Sequence, residues 1–238
     1  MGAEGNIDWR QAAASALAWW DEAGVDTLVD DVARDWLAAP VAASKPVAPV
    51  AEPDADALPA TFDAFLAWRS GSAAPEAEWP GAWVAASGPA DAAVMVLVDC
   101  PDRGDDCDGL LSGASGRLFD RMLAAIGLSR EGVHVATVCG KRPTAGRTPA
   151  NLETRLAAIA AHHVGLVAPK RLLLLGNAAS RAILGTETRE ARGSLHGFNH
   201  DRGQTGVVAS YHPRFLLEKP AAKAAVWADL QVLMNGLS

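Results

Sequence analysis

The residues with the clearest capacity for chemistry stand in four short segments, each directly behind a run of β-forming residues. Asp99 follows the apolar run Val94–Val98, and His212 follows the last such run of the chain. Between them lie the basic loop of residues 137–147 and the glycine-led segment 176–179. A carboxylate can polarise water, a helix N-terminus and basic side chains bind phosphate, and a histidine can stabilise charge. This combination favours an enzyme that acts on a nucleotide or on a phosphate-bearing polymer.

Strands and helices alternate through the last three-quarters of the chain. The predicted strands cover residues 94–98, 133–138, 171–175 and 207–210, and the helices that follow them cover residues 117–126, 152–167, 178–184 and 221–234. Strands without polar alternation, each followed by a helix, indicate a parallel sheet covered on both faces. We predict a three-layer α/β/α sandwich with a central, mainly parallel four-stranded sheet. Ligands of such sheets bind beyond the carboxyl ends of the strands, where the four segments stand.

Two segments precede this predicted domain of residues 61–238. Apolar residues recur at helical spacing between Trp9 and Leu37, so residues 1–38 are predicted to form a helical segment. Residues 39–60 consist largely of alanine, valine and acidic residues with five prolines, which cannot sustain a helix. We interpret them as a semi-extended linker.

Charge is distributed unevenly over the 238 residues, whose formal net charge is −7. Residues 1–90 carry 14 acidic and 4 basic side chains, whereas residues 110–238 carry 8 acidic and 16 basic ones. Such asymmetry suggests an acidic appendage attached to an anion-binding domain. A scattered, solvated set of basic side chains would give the same count, and composition alone does not separate the two interpretations.

Cysteine usage and hydropathy indicate the cellular compartment in which the protein is expected. The three cysteines, Cys100, Cys107 and Cys139, are odd in number and lack CxxC spacing, so they indicate neither a disulfide framework nor a zinc site. No apolar run approaches the ~20 residues that span a bilayer, and acidic residues stand where a signal peptide needs a basic start. We expect a cytoplasmic monomer without a membrane partner.

An ordered set of motifs carries a resemblance to a known family. The best of them is Ser-Tyr-His-Pro-Arg-Phe-Leu-Leu at residues 210–217, and the others occur at residues 116–123, 141–143, 147–149, 175–179, 192–193, 219–220 and 227–230. In order and spacing the set resembles the uracil-DNA glycosylase superfamily, and within it family 4, whose members normally hold a 4Fe-4S cluster. The similarity runs from about residue 61 to residue 237.

The resemblance implies hydrolysis of the N-glycosidic bond of uracil, or of another deaminated base, in DNA for base excision repair, with the base extruded from the stack. His212 would stabilise charge on the leaving base, and Asp99 would orient or activate water. The implied base pocket comprises Cys100, Pro101, Leu111, Thr137 and Asn177. The implied contacts to the DNA backbone are Lys141, Arg142, Arg147, Ser210 and Arg214. From the residues alone, Asp99 could equally cap the following turn, and Asn177 is more readily explained as a helix N-cap.

The chain also departs from the family pattern. Residues 98–102 read Val-Asp-Cys-Pro-Asp where the family has Gly-Glu-Ala-Pro-Gly, and Leu111 replaces the aromatic ring that stacks on the base. Lys141 and Leu156 stand at positions of cluster ligands, and residues 71–73 contain no cysteine. We therefore predict no cluster and no metal. The alternative function is a catalytically inactive DNA-binding or scaffold protein of this fold, with the N-terminal helices engaging a protein partner.

Overall fold

The computed structural model describes residues 10, 13–15, 18–19, 57–105, 109–144, 146 and 148–237. The chain divides into two units, residues 1–52 and 53–238. The described residues of the first unit are helical, and the rest of the predicted N-terminal helices and most of the predicted linker lie outside the described residues. The following concerns the second unit.

Strands and helices alternate as the sequence predicts, with small differences at their ends. The second helix of this unit begins at Gly113, four residues before the predicted start, because the glycine-containing residues 113–116 are already helical. The elements are α1 (Phe62–Arg69), β1 (Val94–Val98), α2 (Gly113–Ala125), β2 (Val133–Thr137), α3 (Ala150–Val167), β3 (Arg171–Leu175), α4 (Asn177–Leu184), α5 (Thr188–Ala191), β4 (His196–His200), β5 (Gly203–Ser210), α6 (Pro213–Glu218) and α7 (Lys223–Met234).

The central sheet has five strands in the order β2-β1-β3-β5-β4. The first four in this order pair in parallel, and β4 pairs with β5 antiparallel, with Phe198 opposite Thr205. The predicted α/β/α architecture is confirmed, and the predicted number of four strands is one too few. The missed strand β4 lies at the edge of the sheet and contains glycine, asparagine and two histidines, residues that do not signal a strand.

Side chains alternate between two apolar cores, one on each face of the sheet. Met95 and Leu97 point to the face covered by α1, α3 and α4. Val94, Val96 and Val98 point to the face covered by α2, α6 and α7. Every residue of β1 is buried, because this central strand is covered on both sides. No helix in the part of the chain that the structure describes is long and apolar enough to cross a membrane.

The parallel pairing brings four strand ends to one edge of the sheet. Beyond the strands, the N–H of Cys139 donates to the carbonyl oxygen of Asp99 at 3.2 Å, and the N–H of Gly176 donates to that of Ser210 at 3.2 Å. These hydrogen bonds extend the ladder by one residue past the strand ends. The segments that follow β1, β2, β3 and β5 are therefore held side by side.

Candidate active site

Asp99 is the first residue after β1, and its carboxylate lies at the N-terminus of α4. Its Oδ1 accepts the N–H of Ala179 at 2.8 Å. Burial raises the pKa of Asp99 to about 6, against the opposing effects of the N–H groups of Ala179 and Ala178 and of the guanidinium groups of Arg214 and Arg181. Asp99 thus caps the N-terminus of α4, a helix distant in the sequence, whereas the structural alternative was a cap on the turn directly after Asp99. It also titrates close to neutral pH.

Gly176 allows this close approach between strand and helix. It has a φ of +114°, which residues with a side chain rarely adopt. A Cβ atom at this position would also overlap the Asp99 carboxylate. The absence of a side chain at residue 176 therefore allows the carboxylate to lie at the helix N-terminus.

A cavity of about 420 Å³ opens beside the Asp99 carboxylate. Its wall includes the thiol of Cys100, whose pKa burial raises to about 11, so that the thiol stays protonated at neutral pH. Because two carboxylates, one amide and one guanidinium line it, the cavity suits a small polar ligand. The lining residues are Asp99, Cys100, Pro143, Gly146, Thr148, Glu153, Asn177, Ala178 and Arg181.

His212 lies two residues after β5, at the start of α6, and is 6% exposed. Its Nδ1 accepts the backbone N–H of Arg214 at 3.1 Å. Desolvation lowers the pKa of His212 to about 4, although the carboxylates of Asp102 and Asp105 act in the opposite direction. The imidazole is therefore neutral at neutral pH. With Nδ1 acting as an acceptor, its proton is on Nε2, which is left as a hydrogen-bond donor.

Two arginines, one in the loop after β2 and one in α6, contact the loop that follows β1. Nη1 of Arg142 donates to the carbonyl oxygen of Pro101 at 2.9 Å, and Arg214 forms an ion pair with Asp102. Both arginines line a second cavity of about 510 Å³, together with the first turn of α2. The positions of Asp99 and His212 beyond the ends of parallel strands predict that both face one cleft. The two residues share one edge of the sheet, but Asp99 lines the first cavity and His212 lines neither of the two.

Asp105 holds the loop after β1 in shape, and the sequence interpretation missed it. Its carboxylate accepts the N–H groups of Asp102, Leu111 and Ser112 at 2.8, 3.0 and 2.7 Å, and the Ser112 hydroxyl at 2.6 Å. Burial raises the pKa of Asp105, but these hydrogen bonds outweigh it, so the pKa is below its ordinary value. The sequence did contain a signal for this role, because Asp105 lies three residues after Asp102 and aspartate side chains often accept backbone N–H groups in tight loops.

Comparison with known proteins shows the family of this chain. The family model described as "Uracil DNA glycosylase superfamily" matches residues 85–231. The chain belongs to the uracil-DNA glycosylase superfamily. It is 28% identical over 151 residues to a Type-4 uracil-DNA glycosylase of Pyrobaculum aerophilum, a match covering 60% of this chain and 77% of that protein. It is 26% identical over 148 residues to one of Archaeoglobus fulgidus, covering 59% of this chain and 74% of that protein. It is thus a divergent, family 4-like member.

Of the predicted base pocket, Cys100 and Asn177 line the cavity beside Asp99, whereas Leu111 and Thr137 do not. Leu111 is 1% exposed and packs into the apolar core with a φ of +54°, a conformation held by hydrogen bonds to Asp105 and Arg130. Thr137 is the half-buried last residue of β2. Asn177 is exposed, and its Oδ1 accepts the N–H of Thr188 at 3.2 Å. The expected N-cap role of Asn177 is wrong, because Gly176 is the N-cap of α4.

Two predicted DNA contacts are engaged inside the protein. Ser210 is fully buried, and its hydroxyl donates to Asp229 at 2.6 Å. Nζ of Lys141 donates to the carbonyl oxygens of Ala77 and Trp79 at 2.6 and 3.1 Å. Neither side chain is positioned to contact a phosphate, whereas Arg142 and Arg214 lie at the surface of the second cavity. Arg147, the fifth predicted contact, lies outside the described residues.

The iron–sulfur cluster of family 4 does not fit the residues at the positions that the resemblance assigns to its ligands. Lys141 supplies an ammonium group where a thiolate would be needed, and Leu156 is fully buried among apolar side chains. Cys139 lies beside Lys141, but burial raises the pKa of its thiol to about 12. Among the described residues, no three histidine, cysteine or acidic side chains are grouped so as to hold a metal ion. Cys107 lies outside the described residues.

Proposed function

We propose that this protein is a DNA glycosylase that hydrolyses the N-glycosidic bond of uracil, or of another deaminated base, in DNA. The observation that carries the proposal is the state of His212, which is neutral, buried and fixed with its proton on Nε2. It stands at the same sheet edge as Asp99, a carboxylate that titrates close to neutral pH. Membership of the superfamily supports the reaction class.

His212 would act on the leaving base. When the bond between C1′ and the base nitrogen breaks, the electron pair moves onto the base and negative charge develops on its carbonyl oxygen. The Nε2–H of His212 donates a hydrogen bond to that oxygen. Because the ring is already oriented by the Arg214 N–H, little reorganisation accompanies the reaction, which is the condition under which such donors contribute most.

Asp99 would act on the water. Above about pH 6 it is a carboxylate, and the adjacent cavity provides room for a water molecule at its side. The water oxygen forms the new bond to C1′, and Asp99 orients the molecule and accepts its proton. The helix N–H bonded to Oδ1 keeps the carboxylate from rotating.

Arg142 and Arg214 would bind the DNA backbone. They are the predicted DNA contacts that line the second cavity. Arg142 extends from the loop after β2 and Arg214 from the start of α6, at the sheet edge that carries His212. Phosphate contacts of this kind position the strand and supply much of the affinity without reading its sequence. We further propose that the protein works without an iron–sulfur cluster, since Lys141 and Leu156 cannot supply thiolates.

A catalytically inactive DNA-binding protein is the second candidate, and the position of Leu111 favours it. The family places a stacking ring at this position, but Leu111 is 1% exposed and points into the core. An extruded base would then lack one stacking surface, which would lower the stability of the extruded state. The two candidates differ in whether any base is released.

Base release from defined oligonucleotides distinguishes them. Purified full-length protein is incubated with single-stranded and duplex oligonucleotides that carry uracil, hypoxanthine or xanthine, and abasic sites are scored by strand cleavage in alkali. We expect abasic sites with at least one deaminated substrate and none with the undamaged control. Binding without any base release on all substrates would favour the inactive protein and contradict the proposed activity.

A further inference from the structure

The ion pair between Asp102 and Arg214 connects the segment that carries Asp99 with the segment that carries His212. Asp102 stands in the loop after β1, and Arg214 is the second residue of α6, directly after His212 and Pro213. The backbone of Asp102 is fixed twice, because its N–H donates to the Asp105 carboxylate at 2.8 Å and its carbonyl oxygen accepts the N–H of Asp105 at 3.1 Å. The backbone that carries the carboxylate is therefore held in place independently of Arg214.

The two partners differ in their freedom to move. The Asp102 side chain is 12% exposed, whereas the Arg214 side chain is 43% exposed. Arg214 is also the longer side chain, and it lies at the rim of the second cavity, where a ligand has access to it. If the pair separates, it is the guanidinium that leaves. Arg142 lines the same cavity and would then remain to offset the charge of the carboxylate.

Residue 102 is Asp in this chain, whereas the family resemblance implies glycine at this position, so the carboxylate is not part of the site that the resemblance implies. A carboxylate and a phosphate oxygen offer an arginine the same kind of acceptor, and both can bind its N–H groups in pairs. We propose that Asp102 is a positioning residue that occupies Arg214 in place of a DNA phosphate and releases it when the strand binds. This inference rests on the proposed binding of DNA at this edge of the sheet.

The consequence is that Asp102 limits the contribution of Arg214 to DNA affinity. Each phosphate contact releases bound counterions, so the logarithm of the association constant falls with the logarithm of salt concentration by about 0.7 to 0.9 per contact. In wild type, the Asp102 carboxylate takes up a counterion when Arg214 leaves it, which offsets the counterion released at the phosphate. Part of the free energy of the new contact is also spent on breaking the ion pair. Neutralising Asp102 should therefore tighten binding and strengthen the salt dependence together.

The test is a double-mutant cycle measured as DNA binding. Wild type, Asp102→Asn, Arg214→Gln and the double variant are titrated with a fluorescent single-stranded oligonucleotide at salt concentrations from about 50 to 200 mM. We expect Asp102→Asn to tighten binding and to steepen the salt slope by about one contact, which makes its gain about threefold larger at the low end of this range than at the high end. In the Arg214→Gln background the same substitution should have almost no effect.

Two controls separate the release of Arg214 from a general effect of charge and from misfolding. Asp91→Asn removes an exposed carboxylate before β1, at the opposite end of the strand from the site, and should leave the salt slope unchanged. Asp102→Gly, which restores the family residue, provides a second way to free Arg214 if the asparagine variant melts early. Weaker binding, or an unchanged salt slope, in both Asp102 variants would overturn the proposal while leaving wild-type DNA binding intact. If neither wild type nor either Asp102 variant binds DNA, the inference and the proposed function both fail.

Discussion

The Arg69 guanidinium and the Glu76 carboxylate form an ion pair inside the protein, where their side chains are 6% and 0% exposed. The pair joins the segment after α1 to the segment after β2, because Arg69 also donates to the carbonyl oxygen of Val138 at 2.7 Å and Glu76 accepts the N–H of Gly140 at 2.8 Å. Lys141 joins the same two segments through its hydrogen bonds to Ala77 and Trp79. These contacts connect the two regions where the family's cluster ligands would be.

Breaking this pair should destabilise the protein strongly. Replacing Glu76 by Gln leaves Arg69 as a buried, uncompensated charge, and we expect a loss of about 3 to 5 kcal/mol in the free energy of unfolding. The measurement is urea denaturation followed by circular dichroism. Glu187→Gln is the matched control, since the Arg181–Glu187 pair is 39% and 43% exposed and should contribute less than about 1 kcal/mol. Equal effects of the two substitutions would show that the buried pair is not the connection we describe.

The purified protein should contain no stoichiometric iron. Lys141 and Leu156 stand where thiolates would be needed, and the buried pair and Lys141 already connect the segments concerned. Anaerobic purification followed by assays of iron and acid-labile sulfide tests this prediction, with an absorption spectrum as a second readout. A brown protein with about four irons per chain would contradict it and would also invalidate our alignment of these positions with the family.

Replacement of the two proposed catalytic side chains should slow base release with little effect on DNA affinity. For His212→Ala we expect the single-turnover rate to fall by about 10² to 10³, which is typical for the loss of one preorganised donor. Asp99→Asn should also slow the reaction, because it cannot accept a proton from water. Affinity should change little, since phosphate contacts supply most of it. Undiminished activity in His212→Ala would exclude this histidine as the group that stabilises the leaving base.

The single-turnover rate should rise with pH through about pH 6. Burial raises the pKa of Asp99 to about 6, and only the ionised carboxylate can accept a proton. His212 should add no inflection between pH 6 and 8, because desolvation lowers its pKa to about 4. The profile is measured for wild type and for Asp99→Asn. An inflection near pH 6 that persists in the variant would assign the titration to another group.

Stability should fall as the pH is lowered below about 6.5, because two histidines are buried as a neutral pair. Nε2 of His134 and Nε2 of His163 are 3.0 Å apart. Desolvation lowers the pKa of both, and for His163 the neighbouring His134 adds to the effect. Below pH 6.5 the unfolded chain binds protons that the folded protein excludes, so each histidine costs up to about 1.4 kcal/mol per pH unit.

Urea midpoints measured between pH 8 and pH 5 would show this dependence. The double variant His134→Gln, His163→Gln should have a flatter profile, even if it is less stable throughout. His200→Gln, on the edge strand β4, measures the effect of replacing a histidine away from the pair. A profile as steep in the double variant as in wild type would mean that other groups cause the loss of stability at low pH.

The three layers, and the edge of the sheet at which the site lies, could be predicted from the sequence because both depend on local patterns. Val94–Val98 is uniformly apolar, so its place at the centre of a covered sheet could be inferred, and the position of Asp99 at its end followed. Strand β4 could not be inferred in this way, since its pairing with β5 holds it in place more than its own residues do. Predictions for side chains failed where the partner is distant in the sequence.

Ser210 and Lys141 illustrate that failure. A serine before the histidine motif and a lysine in a basic loop both suggest phosphate contacts when only neighbouring residues are considered. In the structure their partners are Asp229, on α7, and the segment around Ala77, more than sixty residues earlier in the chain. The buried orientation of Leu111 depends in the same way on Asp105 and Arg130. Packing between distant segments decides which polar side chains reach the surface, and short motifs contain no information about it.

The contact between Gly176 and Asp99 has a consequence for any mutational scan of this protein. A scan scored by activity would rank position 176 with the catalytic residues, because every side chain there would displace the Asp99 carboxylate and strain the backbone. Residue 176 has no side chain that could take part in the proposed reaction. Intolerance to substitution at this position would therefore report the shape of the site. Residues that act through their chemical groups should be sought first at positions that accept a change of size but not a change of chemistry.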